Sequence, residues 1–218
     1  MSDPSPFAMP TRFDGAPDRV AVVVPGVGYS PARPLLHFAR GVLLQHGWTV
    51  QELWWQIPDD FSQFTVDDRI AWVERQVTQA VDAEAGACRL LVGKSLGSLA
   101  CGIAAERNIA AAWLTPLLTI DHVARALRRA QAPTLLIGGS ADRLWDSRTA
   151  ESLRHDVLEV PSADHALELA DDATGSVDVL RHVVSRLDRF IGSLDLEEPR
   201  DRIARTGSGR AGPKSSGA

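Results

Sequence analysis

Lysine is almost missing from this chain. Lys94 and Lys214 are the only two in 218 residues, so nearly all of the 23 basic charges are arginine, which taken alone reads as the codon bias of a genome. With 28 acidic residues the formal net charge is −5, so no basic surface waits for a phosphate backbone and nucleic acid is excluded as a partner. Cysteine is as scarce. Cys88 and Cys101 both lie inside apolar runs, where a free thiol packs as a small hydrophobe, and two such residues make neither a disulfide framework nor a metal site. No stretch approaches the roughly 20 apolar residues of a membrane span. The prolines and the acid among residues 1–11 do not read as a secretory signal either. These absences leave a cytoplasmic enzyme or binding protein with no metal, membrane or nucleic-acid partner as the expectation.

What is present is ordinary globular material, 44% hydrophobic and 23% charged, enough for one sizeable core. From Arg19 onward, short β-branched runs alternate with segments of helical period, the pattern of βα units around a parallel sheet. The expected strands are residues 19–24, 48–54, 89–92, 111–114, 134–137 and 157–160, six in all. Helices are expected over 35–45, 66–81, 96–106, 120–130, 147–154 and 177–191, with Thr65 and Asp68 as a capping box for the second. Residues 1–18 read as an irregular lead-in and 19–193 as one domain. Residues 194–218 read as a disordered tail, because beyond Leu194 they offer only Leu196 and Ile203 as large apolar side chains.

One segment carries the most chemistry: Leu90-Leu91-Val92-Gly93-Lys94-Ser95-Leu96-Gly97-Ser98 runs from a buried strand through G-x-S-x-G into an apolar helix. Such a reversal strains the serine backbone, admits only small neighbours, lifts the hydroxyl clear of the sheet edge and aims the Leu96 N–H at developing negative charge. A serine hydroxyl needs a base held by an acid to become a nucleophile. Both types stand at later strand ends, Asp142 after Gly138-Gly139-Ser140-Ala141 and His165 after Ala163-Asp164. The order Ser, Asp, His contradicts the chymotrypsin and subtilisin orders.

With these residues the chain resembles the small, lidless bacterial members of the α/β-hydrolase superfamily. The resemblance covers roughly residues 19–191 and has a fourth element, Val24-Pro25-Gly26-Val27-Gly28, similar to the His-Gly oxyanion loop with Pro25 in place of histidine. It implies an α/β-hydrolase fold, a mostly parallel six-stranded sheet flanked by helices. It also implies a serine hydrolase acting on a small ester or thioester, with Ser95 as nucleophile, His165 as base, Asp142 as acid, and the Leu96 and Val27 N–H groups as oxyanion donors. No cofactor is implied. The opening antiparallel meander of the family has too little chain before Arg19, which implies a trimmed sheet. Only Thr115, Pro116, Leu117, Leu118 and Thr119 separate the 111–114 strand from the next helix, so no cap domain fits. The pocket then falls to strand-end side chains: Tyr29, Leu117 and Trp145, with Trp54 and Trp55 as further candidates.

Each of these residues has a plainer reading. Ser95 could be a small residue tolerated in a tight turn, and a chain of this fold could bind a ligand without catalysis. Asp146 is the alternative acid, and Asp164 reads as a brace for its own loop. Lys94 is read as an anchor inside the elbow more than as a tuner of the site. His37, His46, His155 and His182 read as surface histidines, and Trp48 and Trp72 as core.

Overall fold

The apolar runs form strands of one sheet in the computed structural model, which describes residues 11–194. The strands are β1 (Arg12–Phe13), β2 (Ala16–Val24), β3 (Trp48–Glu52), β4 (Cys88–Lys94), β5 (Ala110–Leu114), β6 (Thr134–Gly139) and β7 (Asp156–Val160), in the spatial order β1-β3-β2-β4-β5-β6-β7. All pairs are parallel except β1 with β3. The α/β class and its mostly parallel sheet are as expected; the count of six is corrected to seven among the described residues. The extra strand lies within the 1–18 segment, whose described residues are therefore not irregular throughout. Two residues are too few for alternation to show, and β1 is held by distant partners. The Phe13 ring lies 4.6 Å below the Arg40 guanidinium, Arg12 pairs with Glu84 at 2.7 Å, and the Glu52 N–H donates to Thr11 O. A second difference is that β3 ends at Glu52 rather than at residue 54. Apart from Leu194, the segment expected as a tail lies outside the described residues.

The helices are α1 (Pro34–Gln45), α2 (Val66–Ala83), α3 (Cys101–Arg107), α4 (Asp121–Arg129), α5 (Ser147–Ser152) and α6 (Ala173–Leu194). The Thr65 hydroxyl accepts from the Asp68 N–H while the Asp68 carboxylate accepts from the Thr65 N–H, the capping box that opens α2. Strand alternation divides the core into two layers. Val22, Val24, Leu91 and Trp113 face the layer of α2, α3 and α4, whereas Ala21, Val23, Leu90 and Leu114 face that of α1 and α6. Because both faces are covered, the strands read as continuous apolar runs instead of alternating ones. Helices α1 and α6 pack on each other, with His46 Nε2 2.9 Å from Asp188 Oδ1.

Parallel strands place all their C-terminal ends at one edge, so the loops after β2, β4, β6 and β7 converge there. Only residues 115–120 join β5 to α4, which leaves no room for an inserted cap. Among the described residues no helix is long and apolar enough to cross a membrane.

Candidate active site

At the end of β4 the chain reverses through Ser95, whose φ of +53° lies in the left-handed region that costs any residue with a Cβ. The reversal fits because its neighbours are glycines. A Cβ on Gly93 would stand 2.4 Å from the Trp113 ring, and one on Gly97 would stand 2.6 Å from Val24 O. The helix expected over 96–106 is in fact a 3-10 helix, Ser95–Ala100, followed by α3. Ser98 secures this tight start, its hydroxyl donating to Ser95 O at 2.7 Å and accepting from the Leu117 N–H at 3.0 Å.

The two other strand-end residues meet the serine. His165 Nε2 lies 2.8 Å from Ser95 Oγ, and His165 Nδ1 lies 2.7 Å from Asp142 Oδ2. A neutral imidazole makes both bonds in one tautomer, Nδ1–H donating to the carboxylate and Nε2 accepting from the hydroxyl. Asp142 is 5% exposed, and its Oδ1 accepts from the Leu144 N–H, so the carboxylate is oriented from both sides. Asp146 is occupied elsewhere. It caps α5 by accepting from the Arg148 and Thr149 N–H groups and the Thr149 hydroxyl, and the Thr149 bonds hold its carboxyl below the usual range. Asp164 accepts from the Ala166 and Glu168 N–H groups, bracing the loop that carries His165.

Lys94 is buried, and its Nζ donates to His165 O at 2.9 Å while facing the Tyr29 ring at 4.7 Å. Burial pushes its pKa down to about 8 against the pull of Asp142 and Asp164. Burial also raises the Tyr29 phenol, which accepts from the Leu35 N–H, and pushes the Cys88 thiol up to about 11 and the Cys101 thiol well above its usual value.

The loop after β2 lies against the elbow, since a Cβ on Gly26 would be 3.2 Å from Ser95 Cβ. Its Gly26 N–H donates to Tyr29 O, leaving Val27 exposed at the tip. Tyr29 separates two openings. One, of about 370 Å³, is lined by Pro25, Gly26, Gly28, Trp54, Trp55 and Ile57. The other, of about 510 Å³, runs past Ala166, Leu167 and Leu169 on the side of the imidazole loop. A larger cleft of about 860 Å³ lies at the opposite end, beside the starts of β6 and β7, away from these groups.

Of the residues expected to enclose a substrate, Tyr29, Trp54 and Trp55 line these openings. Leu117 and Trp145 are placed differently: both belong to the core of the α2–α4 layer. The missing Cβ of Gly138 makes room for the Trp145 ring, and the indole Nε1–H donates to Glu159 at 2.6 Å. His37 lies on the helix surface against Arg40, while Trp48 and Trp72 are buried. Glu52 had no signal beyond an acid inside a strand pattern. Its side chain is fully buried, paired with Arg40 at 2.6 Å, and accepts from the Trp54 indole at 2.9 Å, which fixes the pose of that ring. Among the described residues no cluster of three or more His, Cys, Asp or Glu could hold a metal ion.

Comparison with known proteins adds the fold. No family model matches the chain, and no curated protein matches it. Solved structures do. A lidless α/β serine hydrolase from Xanthomonas campestris is 17% identical with a TM-score of 0.58, over 84% of this chain and 87% of that one. Est1E from Butyrivibrio proteoclasticus, solved with ferulic acid, is 13% identical with a TM-score of 0.64, over 85% and 94%. A dienelactone hydrolase from Anabaena variabilis is 22% identical with a TM-score of 0.61, over 80% and 86%. The chain therefore has the α/β-hydrolase fold.

Proposed function

We propose that the chain is a serine hydrolase that cleaves a small carboxylic ester or thioester through an acyl-enzyme on Ser95. The reading is carried by the unbroken hydrogen-bonded series Ser95 Oγ, His165, Asp142, at 2.8 and 2.7 Å, where the strand ends converge. In the first half-reaction Ser95 Oγ attacks the acyl carbon as its proton passes to His165 Nε2. Asp142 stabilises the imidazolium, and collapse of the tetrahedral intermediate expels the alcohol or thiol, which takes that proton. Water repeats the sequence on the acyl-enzyme and releases the acid. The Leu96 N–H, at the start of the 3-10 helix, and the Val27 N–H are the oxyanion donors, the second supported by the close approach of Gly26 to Ser95. Each donor of this kind is worth on the order of 100-fold in rate.

The opening beside Gly26 and the indoles of Trp54 and Trp55 receives the acyl group, and the one beside Ala166 the leaving group. Without a cap, an acyl chain finds wall for only its first few carbons. The similarity to a lidless hydrolase and to a protein that holds ferulic acid supports a small substrate.

A fluorophosphonate probe with mass-spectrometric mapping tests the reading. The adduct is expected on Ser95 and absent from Ser95→Ala. A wild-type protein that takes up no probe would overturn it in favour of a ligand-binding protein without catalysis, and a variant that labels as strongly would move the nucleophile away from Ser95.

A further inference from the structure

The lysine inside the elbow is left unexplained by the reaction itself. Lys94 is 3% exposed, and a buried ammonium is costly where a methionine of similar shape is not. Its hydrogen bond does not go to either carboxylate that faces it, Asp142 or Asp164. It goes to the backbone carbonyl of His165, 71 residues away, while the Tyr29 ring covers another side of the ammonium. One side chain therefore joins the elbow, the loop after β2 and the loop that carries the imidazole. The choice of residue points the same way. Arginine supplies nearly all the basic charge of this chain, yet a lysine stands here, and its compact ammonium fits a single carbonyl where a planar guanidinium needs a wider, forked partner.

We propose that Lys94 is a positioning residue for the base: its ammonium holds the His165 carbonyl and so keeps the imidazole aligned with the Ser95 hydroxyl through turnover. The proposal rests on the serine-hydrolase reading. The Ser95–His165 hydrogen bond changes as the proton moves, whereas the bond from Lys94 to the carbonyl involves no reacting atom and persists. The loop has a separate tie to the acid, the Ala141 N–H to Ala163 O, but that tie does not reach the elbow.

The titratable groups facing Lys94 are Tyr29, Asp142 and Asp164. When the ammonium loses its proton, the charge-assisted bond to the carbonyl weakens and the attraction to the Tyr29 ring goes. Turnover should therefore fall as pH rises through about 8, the value to which burial brings this lysine. Stability moves the other way. Between about 8 and the usual 10.5 the unfolded chain binds more protons at this position than the folded one, so Lys94 adds stability as the pH climbs through that window. An alkaline loss of activity with an intact fold is thus the signature.

The test uses full-length wild type, Lys94→Met and Lys94→Gln. It follows p-nitrophenyl butyrate turnover and fluorophosphonate labelling from pH 6.5 to 10, with circular dichroism at each point. Wild type should show the alkaline decline. Lys94→Met should lose about tenfold in kcat at pH 7 with little change in KM and should lack the alkaline limb. Lys94→Gln, which keeps a neutral donor, should recover part of the rate without the limb. A Lys94→Met protein with wild-type kcat, the same alkaline limb in both proteins, or a wild-type profile flat to pH 10 overturns the role. Should the methionine variant fail to fold, the wild-type profile decides. Wild type that takes no probe on Ser95 sinks the hydrolase reading itself, which separates the two failures.

Discussion

On one side of Ser95 stand His165, Asp142 and Lys94, each oriented by a hydrogen bond to a neighbouring loop and two of them buried. On the other stand Val27, at 55% exposure, and Trp54, at 38%, open to solvent although Trp54 is pinned from beneath by Glu52. In the proposed reaction the first side is arranged before any substrate arrives, so little reorganisation is needed when charge develops. On the same reading the second is an open face, suited to selecting what enters. On the proposed reading, reaction and selection thus use different materials, backbone geometry and buried charge for one and exposed aromatic surface for the other.

The contrast breaks most sharply at Asp142. Asp142→Asn leaves the ring with the wrong tautomer partner and no counter-charge, and the equivalent change costs about 10⁴-fold in turnover in serine proteases. A loss of that order in kcat, measured on a p-nitrophenyl ester, is expected; near-normal turnover would mean that the acid lies elsewhere. A smaller effect belongs to the wall. Trp54→Ala should lower kcat/KM for the butyrate relative to the acetate by about tenfold, since two methylenes at about 0.8 kcal/mol each lose their cover. In the wild type kcat/KM should level off or fall by the octanoate, and a steady rise through dodecanoate would reveal a long apolar groove. The smallest effect is expected at Asp146, which shares the loop of Asp142 yet only caps α5. Asp146→Asn should leave turnover near wild type and lower the melting temperature slightly, and a large kinetic loss would exchange the two carboxylates.

How much of this was legible follows from the same division. Ser95, Asp142 and His165 stand directly after strands that announce themselves as apolar runs, and a parallel sheet sends every such end to one edge, so position in sequence becomes position in space. The capping box at Thr65 and Asp68 was legible because both partners lie within one turn. Trp145 and Leu117 follow strands too, which points them to the pocket wall, but a loop side chain can turn either way, and the space above Gly138 draws the indole into the core. Strand β1 and the Glu52–Arg40–Trp54 group depend on partners from separate elements, which no local period encodes. The same holds for the bond from Lys94 to His165 O.

The pairing of α1 with α6 has a consequence for how the molecule is made. Leu35, Leu36, Ala39 and Leu43 of α1 share a core with Val179, Val183, Leu187 and Ile191 of α6, with most of the described chain between them. On the ribosome, α2 to α4 emerge beside the strands they cover, and their layer can close early. The other layer waits for α6, so an apolar face several side chains wide stays bare until that helix has emerged. Contacts so distant in sequence are slow to form, and a nascent chain stalled before α6 would present that face to chaperones or to other copies of itself.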